Sequence, residues 1–213
     1  FTLVELLIAM TIGLIILTAL SSTFLMQRKI YDVQEQVVEM VQTARAAMDM
    51  MSREIRLAGY APTGYIPTGG TMQRSDPTGT NFVGIPYNAG QLQIRADLNG
   101  DEDIINADES YDENENITYT YYDENSAYPY QIKRKTANGN FVSFAENIQS
   151  FTFVYLKADG VTEITTSAEN DDIRQIKITI TARTAKPDPD YTANGGYRTY
   201  TLTSYITPRN LAF

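Results

Sequence analysis

Apolar and polar residues follow one another along this chain in four successive patterns. From Phe1 to Met26 a run of Leu, Ile, Ala, Val, Met and Phe is broken by a single charge, Glu5, and a few Thr and Ser. At about 1.5 Å per residue this run reaches roughly 39 Å as a helix, enough to cross a hydrocarbon core of about 30 Å. After Arg28 and Lys29 the spacing changes. Ile30, Val33, Val37, Met40-Val41, Ala44, Met48, Met51 and Ile55 recur at steps of three and four, while Asp32, Gln34, Glu35, Gln42, Arg45, Asp49 and Arg53 occupy the other face. No Pro precedes Pro62, and Gly59 supplies a C-terminal stop. The simplest reading is one helix of about 58 residues, roughly 87 Å long. Its first half is membrane or filament core and its second half packs on a globular head. Gly13 and Ser21-Ser22-Thr23 are its weak points, and the methionines Met40, Met48, Met50 and Met51 read as core filling.

Between Ala61 and Gly90, four prolines and six glycines with few apolar residues predict a long irregular loop. Period-two alternation rich in Tyr, Thr, Ile and Val then predicts strands at 91–96, 117–122, 130–135, 141–144, 150–157, 173–183 and 196–207. Asn138-Gly139 is a hairpin signal. Phe151, Phe153 and Tyr155 share one face of a strand, as do Ile176, Ile178 and Ile180. The fold class is therefore α+β, a long N-terminal helix packed on an antiparallel β-sheet head. Its organisation reads as an apolar helix at 1–27, an amphipathic continuation at 28–59 and a β-rich head at 60–213, which carries the 60–90 loop and an acidic 97–124 loop.

Composition narrows the chemistry. The 213 residues include no His and no Cys, which removes disulfides, thiolate nucleophiles, the usual zinc and haem ligands, and His-dependent triads. Acids outnumber bases 26 to 17, and the net charge of −9 argues against a nucleic-acid partner. No catalytic residues are assigned and the chain does not read as an enzyme. A carboxylate-pair hydrolase is the remote catalytic alternative. Fifteen Tyr suggest a carbohydrate-binding face or an aromatic electron path, with Tyr119, Tyr121, Tyr122, Tyr128 and Tyr130 as candidates for exposure, but strand-forming Tyr on a half-buried sheet is the more economical reading.

The stretch from Asp97 to Glu124 holds eleven acids and no Lys or Arg, which by itself reads as a solvated loop. Within it Asp97, Asn99, Asp101, Asp103 and Asp108 stand at positions one, three, five, seven and twelve of an EF-hand-type calcium loop. Glu102 occupies the position where that loop has Gly, and Asp108 is shorter than the usual bidentate Glu. A structural calcium ion and a solvated turn both remain open for this segment, and no other cofactor is required.

Glu5 is costly in an apolar helix unless it snorkels to headgroups or finds a partner. The partner of opposite charge at the same depth is the α-amine of Phe1 on a neighbouring copy, and that pair would fix the register between identical helices. The start at Phe and the lack of a basic n-region read as a processed N-terminus.

Phe1-Thr2-Leu3-Val4-Glu5-Leu6-Leu7-Ile8-Ala9-Met10 resembles the mature N-terminus of the type IV pilin superfamily, over about the first 30 residues. The resemblance implies cleavage before Phe1 by a prepilin peptidase, N-methylation of Phe1, and assembly through Glu5 and the Phe1 amine of a neighbour. It implies a ladle-like pilin fold and identical or homologous pilin subunits as partners in a helical filament. A single-pass inner-membrane stage would come first, then extraction by an assembly platform into an extracellular pilus. The segment from Met51 to Pro62 is similar to the helix end of PilW-type minor pilins. The alternative within the superfamily is a pseudopilin of a type II secretion system, some of which bind calcium in the head.

Overall fold

The computed structural model describes residues 2–60, 83–100 and 112–211. A single helix, α1, runs from Leu3 to Leu57. It starts at a Thr2-x-x-Glu5 box, where two side chains meet two of the N–H groups that a helix start leaves unpaired. It ends at Gly59, whose φ of +73° turns the chain while its N–H donates to Arg95 O at 2.8 Å. A Cβ at Gly59 would lie 2.7 Å from Leu211 Cδ2, so both conformation and space require glycine there. The expected end of the helix is thus reproduced, as are the three-four spacings. Met40, Ala44, Ala47, Met48, Met51 and Ile55 form its buried stripe, and of the four methionines only Met50 is exposed.

The described chain divides into two compact units. In the first, residues up to Glu39 are joined by Thr184–Arg198. The helix here is long and apolar enough to cross a membrane, and none of its most apolar stretch is buried. Leu3, Leu14, Leu20 and Met26 are between 61% and 75% exposed.

The second unit, Met40–Arg183 with the chain from Thr199 onward, holds the core. Its strands are β1 (Gln91–Arg95), β2 (Asn116–Tyr122), β3 (Gln131–Thr136), β4 (Val142–Ala145), β5 (Ile148–Leu156), β6 (Glu163–Ile164), β7 (Gln175–Arg183) and β8 (Thr199–Ile206). They form two antiparallel sheets of four strands, ordered β1-β2-β3-β4 and β6-β5-β7-β8, where the sequence suggested one. The division falls at Glu146-Asn147. Asn147 takes φ +57°, and the next N–H, that of Ile148, donates to Tyr130 O at 2.8 Å instead of continuing along β4.

The alternation predicted for the later strands is realised. Ile176, Ile178, Ile180 and Ala182 of β7 all face inward, and Phe151, Phe153 and Tyr155 of β5 pair with Ile180, Ile178 and Ile176. Burying each Ile contributes about 1.5–3 kcal/mol, and a one-residue slip would expose all of them, so the register is firmly set. The Asn138-Gly139 hairpin also forms, but its left-handed residue is Ala137 (φ +46°). The turn closes with the Gly139 N–H on Thr136 O at 3.0 Å. Of the expected irregular loop at 60–90, residues 61–82 lie outside the described residues. The remainder passes Gly84, whose carbonyl accepts the Arg95 N–H at 2.8 Å.

α1 is fixed to the β1–β4 sheet by a polar cluster as well as by its apolar stripe. The Glu54 carboxylate accepts from Arg134 Nη2 at 2.8 Å and Nε at 3.1 Å, and from the hydroxyl of fully buried Tyr119. Burial, then the Glu54 carboxylate, pushes the Tyr119 hydroxyl pKa well up, so this phenol stays a donor.

Candidate functional site

The N-terminal segment is built as a self-contained helix start. The Thr2 N–H donates to Glu5 Oε2 at 2.8 Å, and the Glu5 N–H donates to Thr2 Oγ1 at 3.3 Å. This capping box is the Thr2-x-x-Glu5 pattern of the sequence, where Glu5 was read only as a charge needing a partner. A carboxylate at this end is also favoured by the positive end of the helix dipole. Phe1, the expected site of processing, methylation and amine pairing, lies outside the described residues.

Further along, four hydroxyls bond back to their own helix. Thr11 donates to Ile8 O, Thr18 to Leu14 O, and Ser22 and Thr23 both to Ala19 O, at 2.8–2.9 Å. Ser21–Thr23, expected as a point of weakness on assembly, is helical in the single chain.

At the end of the apolar run the β7–β8 connection is clasped onto α1. Lys29 Nζ meets Asp190 Oδ2 at 2.5 Å, and the Lys186 N–H donates to Gln36 Oε1 at 2.9 Å. The connection is itself braced. Asp188 accepts from Arg198 Nη2 at 2.9 Å and Nε at 3.2 Å, which holds its carboxyl below the usual range, and the Arg198 guanidinium lies 4.9 Å over the Tyr191 ring. Met26, Ile30, Val33, Val37 and Val38 floor a groove of about 610 Å³ beside this clasp.

In the acidic stretch only Asp97 and Asn99 of the five expected calcium ligands are described; Asp101, Asp103 and Asp108 lie outside the described residues. Asp97 is fully buried. Its N–H donates to Tyr60 O at 2.9 Å, and its Oδ1 accepts the Gly100 N–H at 2.7 Å. The residue that organises the turn is Glu115, which sequence reasoning passed over. Its Oε1 accepts the N–H groups of Leu98 and Asn99 at 2.7 and 2.9 Å. Burial raises the Glu115 pKa, and the carboxylates of Asp112 and Asp97 push it the same way, against those two N–H bonds. Among the described residues no three acidic side chains converge as metal ligands. The described part of the segment is a turn held by carboxylate-to-backbone bonds.

The tyrosines do not form an open aromatic face. Tyr119 was expected to be exposed but is buried against Glu54 and Phe144, because β2 turns it towards α1. The Tyr121 hydroxyl donates to Gln149 O at 2.7 Å. Lys133 Nζ lies 4.4 Å from the Tyr122 ring and 4.5 Å from the Tyr128 ring, and Arg183 stacks at 3.4 Å on Tyr130. Cations therefore occupy faces that a sugar would need. Comparison of the chain with models of known families gives no match, and comparison with curated proteins gives none.

Proposed function

We propose that this chain is a structural subunit of a type IV pilus filament, stored in the inner membrane by its N-terminal helix and polymerised through it. The observation that carries the reading is that one helix does two jobs. Residues 40–55 supply a buried stripe to a folded β-rich unit, while the apolar residues from Leu3 to Met26 are left uncovered and carry one charge near their start. A helix that served only the fold would not need that apolar first half, and a simple anchor would not need Glu5. Phe1 is the proposed site of cleavage and N-methylation, and Glu5 with the Phe1 amine of a neighbour is the proposed assembly pair. The mechanism requires no catalysis by this chain; assembly machinery supplies the work.

The test is to shear filaments from the cell surface, image them, and identify their subunits by mass spectrometry. The chain dominating the fibre with a methylated Phe1 makes it a main pilin. Trace amounts among a smaller, abundant pilin make it a minor one. Absence of the chain from every surface filament overturns the reading and leaves the secretion pseudopilin.

A further inference from the structure

Among the described residues the two sheets end in the edge strands β1, β4, β6 and β8. The first three are covered or cut short. At the end of β1, Arg95 accepts the Gly59 N–H on its carbonyl and gives its own N–H to Gly84 O, both at 2.8 Å. β4 has four residues and meets β3 through a register shift, and β6 has two residues. Folded chains use such devices to keep a sheet edge from recruiting a further strand. β8 has none of them. Its eight residues, Thr-Tyr-Thr-Leu-Thr-Ser-Tyr-Ile, include no charge, no Pro and no Gly, and they run beside β7 without a shift.

The hydrogen-bond phase of β8 follows from its neighbours. One step beyond the Arg183–Thr199 pair, the Thr184 N–H donates to Arg198 O at 2.9 Å, whereas the Arg183 N–H turns the other way, to Asn147 O at 2.8 Å. In an antiparallel pair these directions alternate. The backbone groups of Tyr200, Leu202, Ser204 and Ile206 therefore serve β7, and those of Thr201, Thr203 and Tyr205 point to the open side. Among the described residues no backbone group meets them there. The side chains of Thr201 and Thr203 are exposed, and each hydroxyl pairs across β7, with Thr181 at 2.9 Å and Thr179 at 3.1 Å. Leu202, on the opposite face, is half-buried.

We propose that β8 is a docking edge for the β8 strand of a second copy of this chain, paired antiparallel about a two-fold axis at Leu202. The phase selects this occupant and register. An added strand must set its own outward-pointing residues opposite Thr201 and Thr203, and in this register they face the partner's Thr203 and the partner's Thr201, each pair exchanging both backbone bonds. The rows of threonine on the exposed face then run unbroken through four strands, from Thr181 and Thr201 to the partner's Thr203 and the partner's Thr179. On the opposite face Leu202 lies against the partner's Leu202, in the closer-spaced kind of pair, and covers what one chain leaves half-buried. Neither paired strand carries a charge, so no like charges meet directly across the seam. A two-fold contact closes on itself and adds no third copy, so this pair is a state apart from the filament and does not rest on the filament reading.

The chain has no Cys, so single cysteines report the pair cleanly. The detergent-solubilised full chain is oxidised mildly at matched concentrations, and disulfide-linked dimers are followed in time. Leu202→Cys is expected to cross-link at least about tenfold faster than Val142→Cys, an exposed position on β4 in the other sheet. Tyr205→Cys, exposed on β8 itself but far from its own copy in this register, is expected to be as slow as Val142→Cys. Thr203→Pro, added to Leu202→Cys, removes an outward N–H that β7 does not use, and is expected to slow cross-linking at least about tenfold. Circular dichroism verifies the folding of each variant, and the comparison of Leu202→Cys with Tyr205→Cys stands without the proline. A Leu202→Cys rate equal to that of Val142→Cys, a Tyr205→Cys rate equal to that of Leu202→Cys, or undiminished cross-linking in folded Thr203→Pro would each overturn the proposal.

Discussion

At Glu5 the carboxylate accepts the Thr2 N–H from inside its own chain, a bond that a glutamine amide oxygen can make as well. Glutamine cannot, however, neutralise an amine on a neighbour. Glu5→Gln and Glu5→Ala are therefore both expected to reach the membrane and to be depleted from filaments when co-expressed with the parent chain, measured as the variant-to-parent peptide ratio in sheared material. If Glu5→Gln entered filaments like the parent, capping alone would account for the residue. Glu115 gives a test by pH. Its pKa in the folded chain lies above the unfolded value of 4.5, so between the two the folded state holds the proton and the unfolded state does not. Stability from this group is complete below 4.5 and is lost as pH rises through the folded pKa. Glu115→Gln is expected to flatten that part of the stability–pH curve, read as the urea midpoint across the window. Glu115 was not legible in the sequence, because its partners at Leu98 and Asn99 lie 17 and 16 residues away and no local pattern links them.

Among the elements, α1 and β3 are joined where Arg134 meets Glu54, with side chains 18% and 12% exposed. Removing one partner strands a poorly solvated charge. Arg134→Met is expected to lower unfolding free energy by about 3–5 kcal/mol, and Glu54→Leu with Arg134→Met together to recover most of it, measured by urea denaturation. Gly59→Ala places a Cβ at φ +73° against Leu211, and a loss of about 1–3 kcal/mol is expected in the same assay. These elements were largely visible beforehand. Seven strands and the helix end follow from periods of two and of three to four, because those periods report burial directly. The split into two sheets was not visible, since alternation persists on both sides of Asn147 and says nothing about which strand is the neighbour. The hairpin was found for an incomplete reason: the signal was Asn138-Gly139, but a five-residue connection moves the left-handed turn residue to Ala137.

For the molecule as a whole, the apolar segment and the folded unit are energetically separable. Since the most apolar stretch of α1 buries nothing within the chain, removing it forfeits no core contact. A chain beginning at Arg28 is expected to remain in the aqueous phase on detergent phase separation, while the full chain enters the detergent phase. The two are expected to share a urea midpoint within about 0.5 kcal/mol of stability. A large loss of stability in the shortened chain would show that the segment belongs to the fold. The polar groups inside that segment have a further consequence. Thr11, Thr18, Ser22 and Thr23 each spend their proton on their own backbone, so they ask nothing of whatever surrounds the helix. Lipid tails and a bundle of like helices then look the same to this surface, and moving between them changes no hydrogen bond made by those hydroxyls. Such a helix is a passenger without a destination of its own. On the proposed reading, Glu5, the one charged side chain between Phe1 and Met26, is the residue by which one host is told from another.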